Sequence, residues 1–600
     1  MSSIDSVNIP IDFINDTFYA ICAKLSPCRA AGDRQREGKY ETYNNIHHSR
    51  SPDGLQYYVG LILDSTALNV YPSITMKKDI NSFHSPDPKM HLNSRREFLA
   101  DVGRGMLISS VGSTLAFDLG LTPVFADEGT GRLSFGKLEP LVGLMQETPP
   151  GKLQRQLVEK IKAGTDLRTL VAAGALANAR TFGGQDYVGF HTIMALAPAF
   201  EMARELPEAL RPLPVLKVLY RNANRIQQFG GRNKEVLRSV EPASLGKGTA
   251  GGELLRSATR SADIDRAERT FAALAKQPIG EAYNHLQYAV QDEVDVHRVV
   301  LSWRAWALLE FTGQDHAHTL FRQSLRYCVT HNYNQAKIRS VLPRLLDEHR
   351  LLDRKLGKRK GGNDWISELS QTVFAGTREL AAGTVAAALA EGYDPEDVGE
   401  AMSLAANQLL LRDPGRDAAA MNNGKKQVGS VHGDSVGVHA SDAINAWRNI
   451  ARVSNHRNTV ASLIVGAYHT AGQAGRAAAE PYPRSEYVEK IRDKNPKALL
   501  ENADGAIREK NQFQACAIIQ RYGELGHDAR PVFDLLLRYA TSEFGALHGE
   551  KYYRTVSEEF VKTRPAFRWR QLVALARVTA SEYGNPAAGY QEARELLGLG

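Results

Sequence analysis

Cysteine is scarce in this chain of 600 residues, and apolar runs long enough to cross a membrane are absent. The four cysteines are Cys22, Cys28, Cys328 and Cys516, and no CxxC or CxxCH spacing occurs. This excludes a thiolate zinc knuckle, a thioredoxin-like redox motif and a covalently attached haem. No apolar run reaches the roughly 18 uncharged residues that a spanning helix needs, so we expect no membrane span in the mature chain.

Other familiar motifs are also missing. The sequence contains no dinucleotide-binding fingerprint, no phosphate-cradling loop, no nucleophile elbow and no HExxH pair. The formal net charge is +7, but the 74 Lys and Arg are interleaved with the 67 Asp and Glu. One local basic run, at residues 350–365, has the composition of a solvated linker. We therefore expect no nucleic-acid partner.

A specific motif lies in the stretch "NSRREFLADVGRGMLISSVGSTLAFDLGLTPVFADE". Arg95 and Arg96 are followed by Phe98, Leu99 and a moderately apolar segment, which closes on small residues at Ala126 and then turns acidic. This resembles a twin-arginine translocation signal, spanning residues 93–126. The resemblance implies that the folded chain is exported by the twin-arginine machinery and cleaved by signal peptidase near Ala126. We expect a periplasmic or secreted protein.

The position of this signal is unusual, because residues 1–89 precede it. They are rich in Asn, Ser, Asp and Tyr, without clear periodicity, and Met90 stands directly before the motif. We interpret residues 1–89 as a disordered extension or a misassigned start, and residues 90–126 as the signal peptide. Translation from Met1 and translation from Met90 both remain open.

From about residue 150 onward, apolar residues recur with the 3.6-residue period of amphipathic helices. Several periodic segments follow a helix-capping residue such as Asp166, Asp263 or Asp394, and Pro395 occupies the first helical position after the last of these. Alternating β-branched runs are almost absent. The sequence predicts an all-α fold.

Self-comparison predicts that the helical body is duplicated. "AGTDLRTLVAAGALANA" aligns with "EGYDPEDVGEAMSLAAN", "VGFH" ending at His191 aligns with "VGVH" ending at His439, and "YAVQDEVDVH" aligns with "YATSEFGALH". Because these matching segments follow one another in the same order in both parts of the chain, they favour two tandem helical bundles. We place the bundles at residues 150–332 and 375–590, joined by a charged linker at 333–374. We expect the halves to pack about a pseudo-twofold axis.

The alignment pairs histidines as well as helices. Its four counterpart histidines are His191, His297, His439 and His548. Glu293 lies four residues before His297, on the same face of a helix, and Glu543 lies five before His548. Imidazole and carboxylate groups together suit iron, copper, manganese or zinc, and facing helices build such sites inside bundles. The sequence predicts one metal site between the halves, with the two glutamates as ligands or orienting groups.

Beyond the signal, the stretches "FHTIMAL" and "VHASDAINAW" and the repeated hairpins resemble the questin oxidase-like proteins. That resemblance implies a helical oxygenase and assigns no residue a role. The leading hypothesis is an exported metal-dependent oxidase or oxygenase acting on a small organic substrate. The alternatives are a noncatalytic helical binding or scaffold protein of the envelope, in which the histidines are structural, and a metal-free hydrolase.

Overall fold

The computed structural model of the chain describes residues 47–50, 56–59, 131–246, 248, 250–417, 427–431, 435–477 and 480–599. The predicted signal peptide at 90–126 lies outside these residues. Within the predicted disordered extension, strands β1 (His47–Arg50) and β2 (Gln56–Val59) pair antiparallel, with His47 opposite Val59.

The described chain from residue 131 onward is helical, which confirms the predicted fold class. Its α-helices, in chain order, are α1 (Glu139–Glu147), α2 (Pro150–Lys162), α3 (Leu167–Phe182), α4 (Tyr187–Glu205), α5 (Pro212–Phe229), α6 (Gly251–Arg260), α7 (Ile264–Leu274), α8 (Ile279–Val290), α9 (Val296–Ala307), α10 (Leu309–Thr312), α11 (Ala317–Thr330), α12 (Ala336–Glu348), α13 (Asn363–Ala375), α14 (Arg378–Ala390), α15 (Pro395–Leu411), α16 (Val436–Val453), α17 (His456–Thr470), α18 (Ser485–Val488), α19 (Pro496–Arg508), α20 (Gln512–Glu524), α21 (Arg530–Ser542), α22 (His548–Lys562), α23 (Trp569–Glu582) and α24 (Tyr590–Leu597).

The predicted caps begin their helices. Asp166 accepts a hydrogen bond of 2.6 Å from the backbone N–H of Thr169 at the start of α3. Asp394 accepts one of 2.9 Å from the N–H of Glu396 at the start of α15, where Pro395 has no N–H and needs no acceptor. These aligned helices α3 and α15 therefore start in the same way. The duplication itself stays a prediction.

The predicted linker at 333–374 is partly helical. Helices α12 and α13 occupy much of it, and each buries apolar side chains such as Leu342 and Leu369. The charges of the basic run at 350–365 lie mostly between α12 and α13, outside both helices. Residues of both predicted halves, Leu176 and Leu404 among them, also share one apolar core.

The remaining sequence expectations concern thiols and membrane spans. Cys328 and Cys516 are both buried, and both are free thiols. Within the described ranges, no helix has the length and apolar character to cross a membrane.

Candidate functional site: a four-histidine cluster

Four helices meet side by side in the core. Helix α4 packs on α9 and α22, and α16 packs on the same two helices, so the four form a ring in the order α4, α9, α16, α22. Each carries one of the four aligned histidines within its first five residues. Helical geometry therefore brings His191, His297, His439 and His548 to the same end of the ring.

The four imidazoles form a closed cycle. Ring centroids are 4.8 Å apart between His191 and His297, and 5.7 Å apart between His297 and His439. The cycle closes at 5.1 Å between His439 and His548 and 5.0 Å between His548 and His191. Histidines more than 350 residues apart in sequence thus share one site, which we call the four-histidine cluster.

His191 has one ring nitrogen fixed and the other unused. Its Nδ1 lies 2.7 Å from the carbonyl oxygen of Tyr187, one helical turn earlier. Since a carbonyl only accepts, Nδ1 carries the hydrogen and Nε2 carries the lone pair. Nε2 is buried and has no hydrogen-bond partner among the described residues. The Tyr187 ring lies 4.4 Å from the His191 ring and is 55% exposed, so the cluster lies close beneath the surface on that side.

His439 and His548 meet directly. Their Nε2 atoms are 3.1 Å apart, a distance at which one donates to the other. Both side chains are buried. Two imidazoles this close cannot both be protonated without a large repulsion, so the contact requires at least one neutral ring.

A strained turn places His548. Gly545, Ala546 and Leu547 have φ of 46°, 48° and 67°, so three successive residues are left-handed immediately before α22. Only glycine adopts this conformation without steric penalty, so the backbone is strained at Ala546 and Leu547. The aligned segments Tyr288–His297 and Tyr539–His548 have equal length, and none of the residues before His297 in the first segment has a left-handed backbone.

Burial keeps His191 and His548 neutral. Desolvation lowers the pKa of His191 well below its ordinary value, and the neighbouring positive charge of Lys551 lowers it further. The pKa of His548 is lowered well below the ordinary range for the same two reasons. Neutral imidazoles are the form that binds metal ions.

Glu293 belongs to an arginine network instead of the cluster. Its carboxylate accepts hydrogen bonds of 2.8 Å from Arg298 and 2.6 Å from Arg339, and it also receives the backbone N–H groups of residues 333 and 335. Helix α9 begins only at Val296, so the spacing to His297 does not place the two groups on one helical face. The carboxylate beside His297 is Asp295, whose Oδ1 lies 3.8 Å from the ring Nδ1 and caps α9.

Glu543 also contacts groups outside the four-histidine cluster. It ends α21, and its carboxylate accepts a 2.7 Å hydrogen bond from the backbone N–H of Asn585. Its backbone carbonyl accepts a 2.6 Å bond from the ammonium of Lys217. The second predicted glutamate therefore links the end of α21 to Asn585, and no described contact joins its carboxylate to His548.

The cluster is not a ready-made metal site. Within the described ranges, no group of three or more His, Cys, Asp or Glu side chains has its ligand atoms placed to hold a metal ion. The ring centroids converge, but the nitrogens do not all point to one centre. Metal binding would require ring rotation. The metal assignment stays a prediction.

Sequence reasoning missed a charged layer next to the cluster. Lys551 lies one turn after His548 on α22, and burial lowers its pKa to about 8. Asp442 lies one turn after His439, accepts a 2.8 Å hydrogen bond from Thr555, and has its pKa raised by burial. Arg304 lies two turns after His297 on α9 and is also buried. The one signal in the sequence was their spacing of three and seven residues from the histidines.

Comparison with known proteins assigns no role to this cluster, because no family model, curated protein or solved structure matches the chain.

Proposed function

We propose that the four-histidine cluster binds one transition-metal ion and that the chain is a metal-dependent oxidase or oxygenase. The observation that carries the proposal is the closed cycle of four buried imidazoles, one from each of four helices. Iron, copper, manganese and zinc all accept imidazole nitrogen.

The tautomer of His191 supports this proposal. A ligating histidine commonly donates its second ring N–H to a carbonyl or carboxylate, which fixes the ring and raises its basicity. The hydrogen bond from Nδ1 to Tyr187 does this and leaves Nε2 with a buried lone pair and no donor. A buried acceptor without a partner costs free energy, which a bound cation would offset.

The contact between His439 and His548 supports it as well. Two nitrogen ligands at about 2.0–2.1 Å from one ion lie about 3 Å apart at tetrahedral or octahedral angles. The two Nε2 atoms already have that separation, 3.1 Å. Binding would replace their mutual hydrogen bond. His191 and His297 would complete the set by turning about their side-chain torsions.

An ion held only by neutral imidazoles keeps its full positive charge, which favours an anionic or oxygen ligand at an open position. When bound, the ion would supply electron transfer or oxygen activation. The oxidative reaction is favoured by the resemblance of the histidine stretches to questin oxidase-like proteins. Within this chain, Tyr187 covers the cluster, and Lys551 and Asp442 are the groups placed to hold a proton beside it.

The second candidate is a noncatalytic binding or scaffold protein of the envelope. Its supporting observation is that hydrogen bonds satisfy part of the cluster without an ion, at Tyr187 and between His439 and His548. Under this alternative the histidines stabilise the helix junction only.

Metal analysis of untagged full-length protein distinguishes the two functions. We expect close to one equivalent of iron, copper, manganese or zinc, lost in His191→Ala and in His439→Ala. His318→Ala is the matched control, because His318 is buried outside the cluster with a pKa lowered to about 3. A metal-free wild-type protein that is stably folded favours the scaffold function.

We also propose export by the twin-arginine route, with cleavage near Ala126 and a periplasmic or secreted destination. The motif from Arg95 to Leu99 and the small residues before Asp127 support it. N-terminal sequencing of the native protein tests this proposal: a first residue near Asp127 supports it, and a mature chain that retains residues 90–126 contradicts it.

A further inference from the structure

Two buried cations beside the cluster have no partner. Arg304 is 4% exposed and Lys551 is 2% exposed. Neither makes a hydrogen bond or an ion pair with any residue that the structure describes, and Nε of Arg304 is completely buried. A charge left unpaired in the interior costs several kcal/mol, so two in one place are unusual.

Other buried arginines of the same helix ring are paired. Arg298 donates to Glu293, and Arg448 lies against Glu559. Arg554 lies 2.8 Å from the carboxylate of Glu558. Arg304 is thus an exception within its own surroundings, and lack of nearby acid is not the reason.

The acids around Arg304 are already engaged by other groups. Glu558 and Asp442 influence the pKa of Arg304 from beyond ion-pair distance. Glu558 accepts hydrogen bonds of 3.0 Å from Asn445 and from Asn449, in addition to its ion pair with Arg554. Asp442 accepts from Thr555. These acids act on Arg304 only from a distance, and no described residue accepts a hydrogen bond from its guanidinium.

The two cations lie next to the four-histidine cluster. Arg304 follows His297 by seven residues, two turns or about 10 Å along the same face of α9. Lys551 follows His548 by three residues and acts electrostatically on both His191 and His548. Lys551 and Arg304 also act on each other. Both cations therefore lie on helices of the ring, on the C-terminal side of a cluster histidine.

We propose that this part of the helix ring binds the carboxylate group of an organic acid through Arg304 and Lys551. The planar guanidinium of Arg304 matches a carboxylate in a two-point contact, and the ammonium of Lys551 adds a point charge. The inference deepens the proposed function and rests on it for its catalytic meaning, since it names an organic acid as the substrate class. Binding itself does not depend on the metal.

Carboxylate binding to metal-free full-length protein tests this inference. Acetate and benzoate, each compared with chloride at equal ionic strength, should raise the melting temperature saturably and bind by calorimetry. Arg304→Met should weaken binding about tenfold or more and raise the melting temperature of the ligand-free protein, because it removes an unpaired buried charge. Arg304→Lys keeps the charge and should retain part of the response.

Arg204→Met is the matched control, since Arg204 is exposed on the same ring of helices. It should respond to both carboxylates as wild type does. A wild-type protein that responds equally to carboxylate and chloride overturns the proposal, and so does an Arg304→Met response equal to wild type. Because the protein is metal-free, failure here leaves the metal proposal standing, and absence of metal binding leaves this result standing.

Discussion

Nε2 of His439 lies 3.1 Å from Nε2 of His548, although 108 residues separate the two histidines in the chain. The contact joins α16 to α22. Together with the unpartnered Nε2 of His191, it defines a site whose behaviour in solution can be measured.

The buried histidines predict a specific pH dependence of stability. The folded-state pKa of His191 and of His548 lies well below the unfolded value of about 6.5, so the unfolded chain binds more protons between the two values. The free energy of unfolding should therefore fall as pH drops below about 6.5, by about 1.4 kcal/mol per unit and per histidine at most. Urea unfolding of metal-free protein between pH 5 and 8 measures it.

A variant tests the origin of that dependence. His548→Gln should flatten the decline below pH 6.5, whereas His527→Gln, at an exposed site, should leave it unchanged. Equal slopes in the two variants would assign the effect to other groups.

Glu293 should matter for stability and not for metal binding. Glu293→Gln leaves Arg298 buried without its charged partner, and loss of one member of such a pair costs about 3–5 kcal/mol. Glu310→Gln, in the exposed pair with Arg168, should cost less than about 1 kcal/mol. Chemical denaturation gives both values. Loss of bound metal from folded Glu293→Gln protein would show that this carboxylate contributes to the metal site.

Asp295 is expected to act through His297. Asp295→Asn keeps a side chain able to cap α9 but removes the negative charge 3.8 Å from the ring of His297. Metal affinity should fall about 10- to 100-fold, as for other outer-shell carboxylates, with stability nearly unchanged. Competition with a chelating dye measures the affinity. A variant with wild-type affinity would limit Asp295 to helix capping.

The turn before α22 should be relieved by glycine. Ala546 has φ of 48°, a conformation that costs roughly 1 kcal/mol for an L-residue, so Ala546→Gly should stabilise the protein by up to about that amount. Ala540→Gly, inside α21, should destabilise it by about 1 kcal/mol. Thermal unfolding compares them. Destabilisation by both would show that the turn holds no strain.

Much of the fold follows from local sequence signals. The period of the apolar residues and the caps at Asp166 and Asp394 identify helices, because both depend on neighbours within one turn. The predicted linker at 333–374 contains helices α12 and α13, each of which buries apolar side chains, whereas the basic run at 350–365 lies mostly between them. Composition alone does not separate such helices from the charged connection that joins them.

The candidate site, too, was predicted only in part from the sequence. Alignment of the two halves marked His191, His297, His439 and His548, and the structure brings their rings together. Spacing also selected Glu293 and Glu543, whose carboxylates contact other groups because each lies outside the helix of its histidine. The only signal for Arg304 and Lys551 was their helical spacing from His297 and His548, since the lack of a charge partner depends on neighbours from other helices.

X-ray absorption spectroscopy of the metal-loaded full-length protein tests the central claim most directly. The account predicts one ion per chain with nitrogen ligands at about 2.0–2.1 Å and the multiple-scattering pattern of three to four imidazoles. That pattern should lose one imidazole in His439→Ala. A first shell without imidazole scattering, or a wild-type protein that retains no ion after equilibration with iron, copper, manganese and zinc, would contradict the account.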